Sequence, residues 1–131
     1  MRTAPPKAYI YDRCVTDSRA TLELRLAALG EYVTERGWQD GGRFVDYGDD
    51  ALTSDARPQF DELLHAVHEA SGEDRVCLVF DWGRLSHDAD HRQDFARRVL
   101  GAGAWLATVG GDSIRLSAVS TGRLTDGPVI A

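Results

Sequence analysis

Three arginines stand at points where a folded chain can gather charge. Arg13 closes the apolar run Ala8-Tyr9-Ile10-Tyr11-Asp12, Arg57 sits immediately before Pro58, and Arg84 follows the apolar run Val76 to Phe80. A guanidinium fork matches the oxygens of a phosphate or carboxylate two at a time. Any one of these arginines is as readily a salt-bridge partner for one of the many carboxylates. Three of them in loops at one edge of a sheet describe an anion pocket. Asp12, Asp46 and Asp81 fall at the ends of the same segments. Three converging carboxylates can hold Mg²⁺ for phosphodiester hydrolysis, whereas the plainer expectation is that they pair with the arginines or face solvent. His87, His91 and Asp94 have the spacing of a zinc site on a helix, although Asp88 and Asp90 are equally explained by the helix dipole. His65 and His68, with Asp61 and Glu69, read as a solvated helix face. Thr16 and Ser18 read as the start and cap of a helix.

These residues need elements to position them. Ala8 to Asp12 reads as a buried first strand. From Arg19 to Arg36, Leu22, Leu26, Leu29 and Val33 recur at helical spacing, and Gly37 stops the helix. Asp40-Gly41-Gly42 reads as a turn into a second strand, Arg43 to Tyr47, followed by an acidic loop, Gly48 to Ala56. Pro58 opens a second helix at its favoured first-turn position, with Phe60, Leu63, Leu64 and Val67 inward. Val76 to Phe80 is continuous enough for a strand buried on both faces. A third helix covers Asp88 to Leu100, a fourth strand Ala104 to Val109. A Gly110-Gly111-Asp112 turn then leads to a hairpin strand, Ile114 to Val119. Strands alternating with helices imply an α/β fold: three layers, a four- or five-stranded and mostly parallel sheet, helices on both faces, and strand one central. Residues 1–7 read as a loose tail, 8–119 as the domain, and 120–131 as a short tail.

The totals set bounds. At 131 residues the chain makes one domain with a real core. A formal net charge of −6 argues against tight, non-specific binding of nucleic acid by the whole surface, though not against a local basic site. Of the 15 basic residues, only Lys7 is a lysine. No apolar run reaches the roughly 20 residues of a membrane helix and no apolar leader follows Met1, so the expectation is a cytoplasmic protein with no membrane association. Cys14 and Cys77 are placed several residues apart along neighbouring strands, at about 3.3 Å per residue, and no disulfide is expected.

Taken together, the motifs resemble the N-terminal catalytic domain of the serine recombinases, the resolvases and invertases. Tyr11-Asp12-Arg13-Cys14-Val15-Thr16-Asp17 is similar to the family's Y-x-R-V-S-T-D. Leu22, Ala28, Leu29 and Arg36-Gly37-Trp38 follow its first-helix pattern, with Arg25 in place of the usual glutamine. Arg57-Pro58 with Leu63-Leu64, Arg84-Leu85-Ser86, and Gly103-Ala104-Trp105-Leu106 continue it in the family order. The resemblance implies a site in which a serine attacks a DNA phosphodiester among arginines. It places Arg13, Arg57 and Arg84 on arginine positions and assigns phosphate or DNA contact to Arg13, Thr16, Arg57, Arg84 and Ser86. It also places Val15 where the serine belongs, Gly83 where an aspartate orients an arginine, and His87 where a further arginine is expected. Valine has no nucleophilic atom, so the implied protein is a recombinase-like domain without strand cleavage. Its expected partners are DNA phosphates, held weakly, or a protein partner or second copy; no cofactor or metal is implied. Ser120-Thr121-Gly122-Arg123-Leu124 is similar to the family's junction with a long dimer helix, and neither that helix nor a helix-turn-helix is expected in the residues that follow. The alternatives are a divalent-metal-dependent nuclease on Asp12, Asp46 and Asp81, and a domain devoted to protein interaction.

Overall fold

The structure is a computed structural model and describes residues 4–14, 19–47, 57–70, 72–86 and 88–115. The chain runs β1 (Lys7–Cys14), α1 (Arg19–Arg36), β2 (Gln39–Tyr47), α2 (Pro58–Glu69), β3 (Arg75–Val79), a 3₁₀ turn (Trp82–Arg84), α3 (Ala89–Ala102), β4 (Trp105–Thr108) and β5 (Ser113–Ile114). The sheet order is β2-β1-β3-β4-β5. The first four strands are parallel and β5 returns antiparallel to β4.

The pleat divides the core in two. Ala8 and Ile10 of β1, with Val76 and Leu78 of β3, face α1 and pack on Leu29 and Val33. Tyr9 and Tyr11, with Cys77 and Val79, face the other way, onto Phe60, Leu63 and Val67 of α2 and Phe95 and Val99 of α3. Alternate residues of one strand thus feed opposite layers, and the three-layer α/β arrangement is the observed one.

Three details differ from the sequence expectation. Asp40-Gly41-Gly42 is not a turn before β2 but a bulge within it. The register steps from Ala8↔Asp40 to Ile10↔Arg43, and Gly42 takes φ 113°. A Cβ on Gly41 would lie 2.8 Å from the Ala8 carbonyl oxygen, so only glycine lets β2 approach β1 here. Strand one is interior, flanked by β2 and β3, but the middle strand is β3. Most of the expected fifth strand, 116–119, lies outside the described residues. Asp88, expected inside α3, caps it instead: its carboxylate accepts the amides of Asp90 (2.8 Å) and His91 (3.1 Å). No disulfide joins Cys14 and Cys77. Register pairs Cys77 with Tyr9, well back along β1 from Cys14.

Candidate anion site

The strands do not end together. β1 stays paired with β2 as far as Cys14↔Tyr47, but its pairing with β3 stops at Ile10↔Leu78. Between the free end of β1 and the loop after β3 a crevice opens. It lies at the point where connections depart to opposite sides of the sheet, the place where open α/β folds bind ligands.

Arginines fill that crevice. The Arg13 side chain, 2% exposed, donates from Nε (3.3 Å) and Nη2 (3.1 Å) to the Gly83 carbonyl oxygen. Arg84 answers by donating from Nη1 to the Arg13 carbonyl at 3.2 Å. This carbonyl lies past the last β1–β3 pair, and a side chain reaches it there instead. The position where the resemblance expects an orienting carboxylate, Gly83, therefore still holds a guanidinium, through its backbone.

Arg57 reaches the site from the start of α2, also 2% exposed, with its guanidinium 4.2 Å above the Phe95 ring. Its placement depends on Asp46. Of the first amides of α2, Pro58 has none and Asp61 bonds back to the Arg57 carbonyl at 3.0 Å. The two that remain, Gln59 and Phe60, both donate to the Asp46 carboxylate, at 2.8 and 3.1 Å. Asp46 thus caps α2 from a different element, and it also accepts the Tyr11 hydroxyl at 2.9 Å. Tyr11 in turn packs edge-on against Phe60, ring centroids 5.2 Å apart.

The charges feel one another. Arg13 is pushed below its ordinary pKa first by burial and then by repulsion from Arg57 and Arg84. Arg57 is pushed the same way by burial, against the pull of Tyr11 and Asp46. Burial, then Asp46, pushes the Tyr11 hydroxyl far up, so it stays protonated. Guanidinium groups do not surrender their protons in proteins. Arg13 therefore keeps its charge beside two further cations, a repulsion that a bound anion relieves.

The acids are not arranged for a metal. The pleat sends Asp12 toward α1, where it is fully buried and grips Arg25 at 2.7 and 3.1 Å. Asp46 is committed to Tyr11 and α2 on the opposite layer. Asp81 is 59% exposed and lies 3.8 Å from Arg84. Among the described residues no group of three His, Cys, Asp or Glu side chains can hold a metal ion. This corrects the metal-site alternative on Asp12, Asp46 and Asp81. The zinc spacing fares similarly: Asp94 pairs with Arg98 at 3.0 Å, and His87 lies outside the described residues. His65 pairs with Glu69 at the surface, as a solvated face does.

Ser86 is buried, and its hydroxyl oxygen accepts the Asp88 amide at 3.0 Å, so it helps start α3. Val15 and Thr16 lie outside the described residues, directly after Cys14. Sequence reasoning missed two parts of the site. One is Tyr11 with Asp46 as a cap on α2. The other is Arg25 as the partner of Asp12, for which a signal existed: an aspartate in a strand otherwise apolar needs a cation, and Arg25 stands on the helix that follows.

Residues 8–125 match the family described as Resolvase, N terminal domain. The fold is shared with the N-terminal catalytic domain of TP901-1 integrase (18% identity, 79% of this chain and 77% of that one, TM-score 0.67). It is shared too with a resolvase family site-specific recombinase from Streptococcus pneumoniae (20% identity, 82% and 75%, TM-score 0.68). A third is the C-terminal catalytic domain of ISC1926 TnpA, an IS607-like serine recombinase (23% identity, 79% and 69%, TM-score 0.66). No curated protein matches the chain significantly. With the family matched over most of its length, this chain belongs to the resolvase N-terminal domain family.

Proposed function

We propose that this domain keeps the phosphate-gripping frame of a serine recombinase and lacks the atom that reacts. The observation that carries this reading is the crevice at the end of β1: Arg13 and Arg84 brace one another there through the Gly83 and Arg13 carbonyls, Arg57 lies near enough to add its repulsion to Arg13, and the chain continues directly into Val15 where the family has serine. Phosphoryl transfer is mostly positioning and charge stabilisation. A frame of arginines can therefore bind a phosphodiester without cleaving it. Covalent capture needs a hydroxyl oxygen to attack phosphorus, and a valine side chain has none.

The ligand is a DNA phosphate or phosphorylated DNA end, with Arg13, Arg57 and Arg84 as direct contacts and Thr16 and Ser86 as hydroxyl neighbours. Binding is weak and salt-sensitive, because the net charge of −6 opposes approach to DNA everywhere except at this crevice. The reading places the protein in the cytoplasm with its DNA. No helix among the described residues is long and apolar enough to cross a membrane.

The test is incubation with supercoiled and with linear DNA, followed by denaturation. Non-covalent retention that disappears on denaturation is expected. A protein–DNA adduct that survives denaturation sinks the inactive reading.

A further inference from the structure

We infer that Asp12 and Arg25 act as one positioning unit for Arg84. The inference deepens the phosphate-site reading, since it concerns how one of the proposed contacts is aimed. Arg84 has few restraints of its own. Gly83 offers it no side chain, and Asp81 is 59% exposed and 3.8 Å away. Its Nε is buried with no hydrogen-bond acceptor in reach. Beside it opens a cavity of about 400 Å³ lined by Leu24, Ala28, Phe80 and Arg25, among others, into which an unbraced side chain can swing.

What holds Arg84 is the end of β1, and Asp12 fixes that end. The Asp12 carboxylate, fully buried, accepts the Arg13 amide at 2.6 Å and both Nε and Nη2 of Arg25. It also lies 3.8 Å from Nη1 of Arg84. Arg25 reaches past it to donate to the Arg13 carbonyl at 3.3 Å, the same oxygen that receives Arg84 at 3.2 Å. One carbonyl thus joins two guanidinium groups, and one carboxylate lies between them. The unit enters as a charge-neutral pair: an acid at the variable position of the strand-one motif, and an arginine at the position where the resemblance expects glutamine. Removing either partner alone strands a buried charge, whereas removing both does not. This separates positioning from simple stability.

The experiment follows the side-chain Nε–Hε signals of the arginines by ¹⁵N NMR in the full chain. Wild type is compared with Asp12→Ala, with Arg25→Gln and with the double variant; Arg84→Lys assigns the signal. Each single variant is expected to lower the melting temperature and the double to recover most of that loss. In the recovered double variant, Arg84 Nε–H exchange with water is expected to rise at least tenfold while that of Arg57 is unchanged. Titration with inorganic phosphate is expected to give a several-fold weaker response in the double variant. Unchanged Arg84 exchange in the folded double variant overturns the inference. If the double variant does not fold, the isosteric Asp12→Asn is read by the same signal. Failure of phosphate to move any arginine signal in wild type overturns the phosphate-site reading instead, and the exchange measurement still decides the positioning role.

Discussion

Replacing Asp46 by alanine removes the contact on which most of the site's frame converges. Three donors lose their acceptor: the amides of Gln59 and Phe60 and the hydroxyl of Tyr11. Loss of a helix cap costs about 1 kcal/mol, up to about 2. Phe60 and Tyr11 are fully buried, so water does not reach their orphaned groups; an unsatisfied buried hydroxyl costs about 1–3 kcal/mol. The sum is about 3 kcal/mol, which for a domain of this size lowers the melting temperature by about 10–15 °C. Asp46→Asn keeps one acceptor oxygen; turned toward Phe60 and Tyr11, it leaves only the part-buried Gln59 amide without its partner, at a cost of about 1 kcal/mol. Urea unfolding followed by circular dichroism and tryptophan fluorescence measures both, with an unchanged slope expected for each. A loss below about 1 kcal/mol for Asp46→Ala means instead that α2 and Tyr11 find other partners at no cost, and that Asp46 does not hold the frame.

Further outcomes follow from the same contacts. Tyr11 is held protonated in the folded state, whereas an unfolded tyrosine ionises near pH 10; its share of stability is complete below that pH and is lost as pH rises beyond it. Cys77, pushed by burial up to about 12, acts with the same sign. Urea midpoints at pH 7.5, 9 and 10.5 are therefore expected to fall at the alkaline end, and a flat or rising trend contradicts this. Labelling of Cys77 by a thiol reagent at pH 8 is expected to track global unfolding; labelling faster than unfolding shows that the core opens locally. Gly83→Asp is tolerated, since its Cβ meets only the exposed Asp81 carboxylate at 3.1 Å, and it weakens phosphate binding by adding negative charge; a calorimetric titration that shows tighter binding contradicts the account. Val15→Ser alone leaves DNA uncut, because Gly83 and His87 still depart from the family pattern; robust nicking of supercoiled DNA on a gel by that variant shows that those two departures do not disable the site.

The architecture was legible because its signals are local and periodic. The continuous apolar run of β3 and the helical stripe of α2 need no tertiary context to be read. The glycine pair in β2 misled for a physical reason: the residues that make a turn are those that make a bulge, and only the approach of Ala8 distinguishes them. Arg13, Arg57 and Arg84 could be placed at one sheet edge from sequence because strand ends and helix starts fix the edge. Their support could not. The Gly83 carbonyl acts through its backbone, so residue type carries no trace of it. Asp46 reads as an acid at a strand end, but its role as the cap of α2 is a contact between two separate elements that spacing along the chain does not show. The bracing of Arg13 and Arg84 exists because β3 ends before β1, a difference in strand length that apolar patterning leaves uncertain by a residue or two at each end.

Recognition of phosphate by the crevice is decided by calorimetric titration at low salt with one short oligonucleotide carrying either a 5′-phosphate or a 5′-hydroxyl. Saturable binding is expected, several-fold tighter for the phosphorylated strand, with the preference lost in Arg84→Ala. Equal affinity for the two strands, or a preference that survives that substitution, contradicts it.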